Sequence, residues 1–174
     1  MAASLLVRIR RHVSFSAVMN GTPAILLQIL NLDAAPSLIF ELPPAKKNLS
    51  LENQMINVNF PGAYIQLQGI DRSLVNFHVF GSPVPGESTR LLLACEASGR
   101  GPASEVLVGA LAAAAGTLMQ GSIDDGGHHW LDQDEYSSEE LVERLKLSED
   151  PGDFATAVAR VYHREAFHAR NLTR

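Results

Sequence analysis

The sequence predicts an α+β fold, in which a mostly antiparallel sheet packs on one long helix and two short helices lie at the C-terminus. Short β-prone runs broken by Pro and Gly fill the first 95 residues, one long stretch of small and apolar residues follows, and two capped amphipathic stretches end the chain. With 174 residues, 46% of them hydrophobic and 19% charged, we expect one folded domain spanning residues 1–174.

Six runs are predicted to be strands, because they are rich in β-branched, aromatic and aliphatic residues and end at turn residues. They are Leu5–Ile9, Val13–Met19, Leu38–Leu42, Ala63–Gln68, Leu74–Phe80 and Thr89–Cys95. Asn20-Gly21 is a hairpin-type turn signal, since both residues tolerate positive φ. The run from Pro23 to Leu30 is compatible with a helix or a strand, and the preceding turn favours the strand.

Three helices are predicted in the remaining chain. The first runs from Pro102 to Gln120 and ends at Gly121; Pro suits a first helical turn, and glycines and alanines leave a thin face that can lie close to a sheet. The second is short and begins with a capping box formed by Ser137 and Glu140. The third is capped by Asp153 or Asp150.

Several features of the whole sequence bear on the cellular compartment of the protein. Residues 1–32 contain Arg8, Arg10 and Arg11 and no acidic residue, which superficially suits a transit peptide, but we expect an edge strand there. Cys95 is the only cysteine, so no disulfide can form within the chain, and we expect a small buried side chain. No apolar run approaches the roughly 18 residues of a membrane span. Together these features predict a cytoplasmic protein with no membrane partner.

Acidic residues are concentrated in one segment, residues 124–153, which contains eleven acids and two bases against a net charge of -5 for the whole chain. Such a field disfavours nucleic acid and favours a basic protein partner; a solvated helix face with its loops is the structural alternative. The residues that we expect to bind the partner are Asp124, Asp125, Trp130, Asp132, Asp134, Glu135, Tyr136 and Glu139.

The same segment begins with the sequence DDGGHHW, Asp124 to Trp130, which brings two carboxylates and two imidazoles together. Adjacent His128 and His129 point in different directions on a strand or a helix, and Asp-Gly and Gly-Gly are turn signals. We therefore predict a turn that presents Trp130, with no metal and no cofactor. A metal site near Asp124 and His128 is the alternative.

The best enzyme-like feature is the loop that precedes the long helix. Ser98, Gly99, Arg100 and Gly101 lie between a strand and a helix N-terminus, where backbone N–H groups and the helix dipole favour an anion. The loop is neither a Walker A motif nor a complete GxGxxG fingerprint, so a tight connection with Arg100 paired to an acid such as Glu96 is the structural interpretation. No serine, cysteine or histidine stands in a pattern that identifies a catalytic residue.

From Leu91 to Leu147 the chain runs strand, small-residue helix, GSIDDGGHHW and SSEELVERL. This arrangement resembles the small α+β immunity proteins of bacterial toxin–immunity systems, those of contact-dependent inhibition and type VI secretion. The resemblance implies a non-catalytic cytoplasmic protein that binds and blocks a cognate toxin.

Our leading functional prediction is therefore an immunity-type inhibitor of a basic toxin. A small enzyme built on the anion loop or on a metal is the second hypothesis. A structural or assembly subunit is the third, and exposed apolar strand edges would indicate it. The sequence leaves the oligomeric state open.

Overall fold

The computed structural model describes residues 4–47, 49–82, 90–99, 101–125 and 135–164. Within them, six strands form one sheet in the order β2-β3-β4-β5-β1-β6, and every neighbouring pair is antiparallel. The strands are β1 Ser4–Arg8, β2 Leu38–Glu41, β3 Ala63–Leu67, β4 Val75–Ser82, β5 Arg90–Ala97 and β6 Ile123–Asp124. The α+β class and the antiparallel sheet are thus confirmed.

In the described part of the chain, four helices and a short 3₁₀ helix, Pro44–Lys46, accompany the sheet. They are α1 Phe15–Leu30, α2 Pro102–Met119, α3 Ser138–Leu145 and α4 Phe154–His163. Helix α2 lies against β1, β4, β5 and β6 on one side and against the three other helices on the other. Two long helices are present where the sequence predicts one.

Helix α1 replaces the predicted strands at Val13–Met19 and Pro23–Leu30, and both strand predictions are wrong. Ser14 caps the helix, since its Oγ accepts a hydrogen bond from Ala17 N at 3.2 Å. Asn20-Gly21 is an internal part of the helix and makes no turn. The buried positions recur every three or four residues, which is the helical period; they are Phe15, Val18, Met19, Thr22, Leu26, Ile29 and Leu30.

Strand β1 is an interior strand, contrary to the predicted edge strand. It pairs with β5 along its whole length and with β6 through Leu6 and Val7. Leu5 and Val7 are fully buried on the face that α2 covers. The short β6 places the end of α2 and the start of α3 beside this strand.

The buried residues form one continuous core between the helices and one face of the sheet. At its β2 end, Phe15 meets the rings of Phe40, Phe60 and Phe77 at centroid distances of 5.0, 5.7 and 5.9 Å. No described helix packs on the opposite face of the sheet, where Asn76 and His78 of β4 lie half-buried.

Helix α2 is the core helix that the sequence predicts. Among the described residues it is the helix that is long and apolar enough to cross a membrane by length and composition, yet 83% of it is buried inside the chain. Gly109 and Gly116 belong to its thin face: a Cβ on Gly109 would lie 2.5 Å from Leu145 Cδ1, so α3 packs directly on the glycine. Burial on all sides explains its continuous apolarity.

Candidate functional site

A cleft of 480 Å3 lies where α2 ends and α3 begins, and we call it the α2–α3 cleft. Gln120 ends α2 in the left-handed conformation, with φ 55°, and its N–H bonds back to the helix. The chain then passes through β6 and returns to Ser137, the N-cap of α3. The residues that line the cleft are Arg10, Gly116, Thr117, Gln120, Gly121, Ser122, Glu135, Tyr136, Ser137, Ser138, Glu139 and Glu140.

Gly116 determines how closely the two helices meet at the base of the cleft. A Cβ at this position would lie 2.5 Å from Ser138 Oγ and 3.0 Å from Ile123 Cδ1. Both distances are shorter than a van der Waals contact, so a side chain here would separate α3 and β6 from α2. The missing side chain therefore allows the first turn of α3 to rest against the last turns of α2.

Three exposed glutamates, Glu135, Glu139 and Glu140, form what we call the acidic rim of this cleft. Glu135 Oε1 accepts a hydrogen bond from Ser122 Oγ at 2.9 Å. The carboxylate of Glu139 makes no hydrogen bond or ion pair with any described residue, and neither does the guanidinium of Arg10, the basic residue in the lining. The rim thus carries three carboxylates against one guanidinium.

Glu140 belongs to the capping box predicted from the sequence, which the structure confirms. Glu140 N donates to Ser137 Oγ at 3.2 Å, and Ser137 N donates to Glu140 Oε2 at 2.8 Å. The hydrogen bond from the Ser137 backbone and that from its side chain lower the pKa of Glu140. This carboxylate therefore stays ionised at neutral pH and is engaged in starting α3.

We expect Ser137→Ala to lower the free energy of unfolding by about 1 kcal/mol, because one N–H of the first turn loses its acceptor. Urea denaturation at neutral pH measures this, with the exposed Ser50→Ala as the control. Equal stability of the two variants would contradict the cap's contribution.

The pH dependence of stability tests the contribution of Glu140, the second residue of the capping box. Because the pKa of Glu140 is lower in the folded chain, its ionised form stabilises the fold above the ordinary glutamate pKa, about 4.3. That contribution is lost as the pH falls through the lowered folded pKa. We therefore expect the stability of Glu140→Gln to fall less between neutral pH and about pH 3 than that of the wild type. An unchanged pH profile would be inconsistent with this assignment.

The predicted partner-binding residues separate into four groups. Glu135 and Glu139 are exposed on the acidic rim, whereas Asp124 is half-buried in β6. Asp125 and Tyr136 are 4% and 3% exposed, so neither presents its side chain on the surface as the sequence predicts. The remaining three, Trp130, Asp132 and Asp134, lie outside the described residues.

Tyr136 is buried because its backbone continues the sheet. Its N–H donates to Ile123 O at 2.7 Å, and Ile123 N donates to Tyr136 O at 2.9 Å. This pair places Tyr136 in the core that α2 and α3 enclose. Tyr136 is therefore a core aromatic residue and not the surface residue that the sequence predicts.

The predicted anion loop opens on a second cleft of 440 Å3, lined by Arg72, Leu74, Ser98 and Gly99. Ser98 Oγ donates to Asn76 Oδ1 at 3.1 Å, and Gly101 lies against Arg72, whose carbonyl oxygen would be 2.5 Å from a Cβ on the glycine. Gly101 therefore allows a close approach of the β3–β4 turn to the start of α2. Arg100 and its proposed pairing with Glu96 lie outside the described residues.

The described part of the chain offers few side chains for metal binding or thiol chemistry. No group of three His, Cys, Asp or Glu side chains there could hold a metal ion, and His128 and His129 lie outside it. Cys95 is fully buried in β5, as predicted, and burial raises the pKa of its thiol far above the ordinary value. It is therefore a core side chain and no nucleophile.

Sequence reasoning missed Arg10, Thr117 and Gln120, which complete the α2–α3 cleft. Arg10 is remote in sequence from the acidic segment and reaches it through the pairing of β1 with β6. Thr117 and Gln120 lie at the C-terminal end of α2, only a few residues before Asp124. The glycines at 116 and 121 are the available signal, because small residues at a helix end indicate close approach of another segment. That signal identifies a contact but does not identify the contacting strand.

No protein-family model, curated protein sequence or solved structure matches this chain. The immunity-protein resemblance accordingly stays a prediction.

Proposed function

We propose that the chain is a non-catalytic cytoplasmic binding protein of the immunity type, which neutralises a basic bacterial toxin by holding a cationic segment of it at the α2–α3 cleft. The observation that carries this proposal is the acidic rim, where Glu135, Glu139 and Glu140 stand around one open cleft. The partner supplies lysine or arginine side chains.

The charges on the rim favour binding over chemistry. Glu139 has no partner among the described residues, so its carboxylate can meet a cation without breaking an existing contact. Glu140 has a lowered pKa and cannot act as a proton donor near neutral pH. Fixed carboxylates at a surface cleft raise the association rate of a cationic partner and select against anionic ones.

The acidity extends beyond the rim along the same part of the chain. Glu143, Glu149, Asp150 and Asp153 are exposed, although Glu143 forms an ion pair with Lys146 and Asp153 caps α4. The net negative charge of this region adds to the attraction of a cationic partner. That attraction acts over a screening length of about 10 Å at 0.1 M salt and over a longer distance at lower salt. Trp130, the predicted aromatic anchor, stays a prediction.

Charge reversal at the rim tests the proposal. We expect Glu135→Lys combined with Glu139→Lys to weaken binding of a short arginine- and lysine-rich peptide at least about tenfold at low salt, because two attractive charges become repulsive. Isothermal titration calorimetry at two salt concentrations measures this. Glu140 is left unchanged, because its substitution would also weaken α3.

The matched control reverses two other exposed acids outside residues 124–153, Asp33 after α1 and Asp71 in the turn between β3 and β4. Asp33→Lys combined with Asp71→Lys makes the same change in net charge and should retain most of the affinity. If the two double variants bind equally well, the peptide responds to net charge alone and the rim is not its site.

Protection against a toxin is tested in cells that coexpress this chain with a toxin encoded beside its gene. Wild-type protein and the control variant should restore growth, and the rim variant should fail to do so while remaining folded by circular dichroism. Absence of protection by the wild type against every neighbouring gene product would overturn the immunity function.

A further inference from the structure

A second surface, at the opposite end of the sheet, is independent of the proposed inhibitor function. Strand β2 is the edge strand there, and Ile39 and Phe40 are 36% and 41% exposed. The other edge is closed, because Ile123 of β6 exchanges two backbone hydrogen bonds with Tyr136. Among the described residues no strand pairs with the outer side of β2, so another strand can add to this apolar edge.

The hydrogen-bonding directions of β2 follow from its pairing with β3. Gln68 N donates to Ser37 O at 2.8 Å, and the register places Ile39 opposite Gln66. Because bonded pairs alternate in an antiparallel ladder, Ile39 and Glu41 direct their backbone groups toward β3. Leu38 and Phe40 therefore direct their N–H and C=O groups outward.

The residues of β2 itself carry few of the features that prevent pairing at a sheet edge. Residues 38–41 read LIFE, with no lysine, no proline and a single charge at Glu41. Pro36 and Pro43 stand just outside the strand and limit any added ladder to this short stretch. A partner strand must therefore be short, apolar at its centre and free of a charge that meets Glu41.

We propose that a second copy of this chain occupies the edge, with two β2 strands pairing antiparallel about a twofold axis at Ile39. In this register Ile39 faces Ile39, and Leu38 faces Phe40 of the other copy. The outward groups of Leu38 and Phe40 then form four hydrogen bonds, and the two sheets become one.

The charges support this register. Glu41 comes to lie opposite Ser37 of the other copy, about 13 Å along the strand from its counterpart at about 3.4 Å per residue. No like charges therefore face each other, and three apolar side chains of each β2 are matched with apolar ones. The polar groups of the edge are satisfied at the same time.

Disulfide trapping tests both the partner and the register. A residue at the twofold axis stands in a non-hydrogen-bonded pair, whose Cα atoms are about 4.5 Å apart, within the range that a disulfide spans. We expect Ile39→Cys to form a covalent dimer under mild oxidation. Glu41→Cys and the highly exposed Val58→Cys should form little, and the buried Cys95 should not react.

The noncovalent dimer is measured by sedimentation velocity of the whole chain, which should give twice the 18.8 kDa mass of one copy. Ile39→Lys places two ammonium groups opposite each other and should raise the dissociation constant at least about tenfold. Val58→Lys, the same kind of change at another exposed apolar residue, should leave it unchanged.

Three results would overturn the proposal. The wild type could remain a monomer at concentrations of about 100 μM, where even a weak dimer with a Kd in the micromolar range is populated. It could form a dimer that Ile39→Lys leaves intact, or Ile39→Cys could crosslink no more than Val58→Cys. Circular dichroism of each variant separates a lost interface from a lost fold.

Discussion

Replacing Phe15 with alanine is expected to lower the free energy of unfolding by about 3–5 kcal/mol, the range for removal of a large buried aromatic ring. Phe15 is 1% exposed and is the ring that contacts all three others of its cluster, Phe40, Phe60 and Phe77. Its loss leaves a cavity and breaks three edge or tilted ring contacts at once. The free energy of unfolding of a native protein is typically about 5–15 kcal/mol, so the variant should be close to unfolding.

The matched control is Phe80→Ala. Phe80 lies on the sheet face that no described helix covers and is 37% exposed, so its removal should cost less than about 1 kcal/mol. Urea denaturation followed by circular dichroism compares the two variants. Similar losses for Phe15→Ala and Phe80→Ala would mean that the four-ring cluster is not the centre of this end of the core.

The helical position of Phe15 also shows where sequence reasoning failed. Asn20-Gly21 and Pro23 are local signals for a turn and a break, and each weakens a helix when it is considered alone. The stripe of buried residues on α1 outweighs them, because a whole helical face packs against α2 and the aromatic cluster. Thr22 Oγ1 also donates to Val18 O, so its hydroxyl is satisfied inside the helix.

The five longer strands were easier to predict than α1, because each carries its own signal, whereas the two-residue β6 was not predicted. Ala63, Ile65 and Leu67 of β3 are buried and alternate with half-buried neighbours, which is the period of a half-covered strand. Caps also indicated the starts of α3 and α4: Ser137 with Glu140 for α3, and Asp153 or Asp150 for α4. In the structure Asp153 is the cap of α4 and accepts a hydrogen bond from Thr156 N. These features involve residues within a few positions of each other, so they can be recognised in the sequence.

The residues of the candidate site also divide into those that local sequence features predict and those that depend on how distant segments pair. The acidic segment is a local property of the sequence, and two of its predicted residues, Glu135 and Glu139, are exposed on the rim. The burial of Tyr136 and the approach of Arg10 depend on pairing between segments that are far apart in the chain. Exposure and neighbours of this kind follow from topology, which composition and spacing do not specify.

Gly121→Ala is expected to lower the free energy of unfolding by about 3 kcal/mol, at the upper end of what overpacking a core contact costs. A Cβ on Gly121 would lie 1.8 Å from the carbonyl oxygen of Arg8 and 2.9 Å from its carbonyl carbon. Both are backbone atoms, which cannot turn aside as a side chain can. The methyl group must therefore push β1 away from the end of α2, which endangers the hydrogen bond from Arg8 N to Ser122 O.

Substitutions at two other glycines allow the destabilisation by Gly121→Ala to be ranked. A Cβ on Gly109 would meet only the flexible end of Leu145, at 2.5 Å, so Gly109→Ala should cost less than Gly121→Ala. A Cβ on Gly99 would meet nothing within 4 Å, so Gly99→Ala should be neutral or slightly stabilising, since alanine restricts the unfolded chain. Thermal and urea unfolding give the order, and equal stability of Gly121→Ala and Gly99→Ala would refute the contact between α2 and β1. Because Gly121 and Arg10 line the same cleft, displacement of β1 should also alter the acidic rim's binding of the cationic peptide in molecules that remain folded.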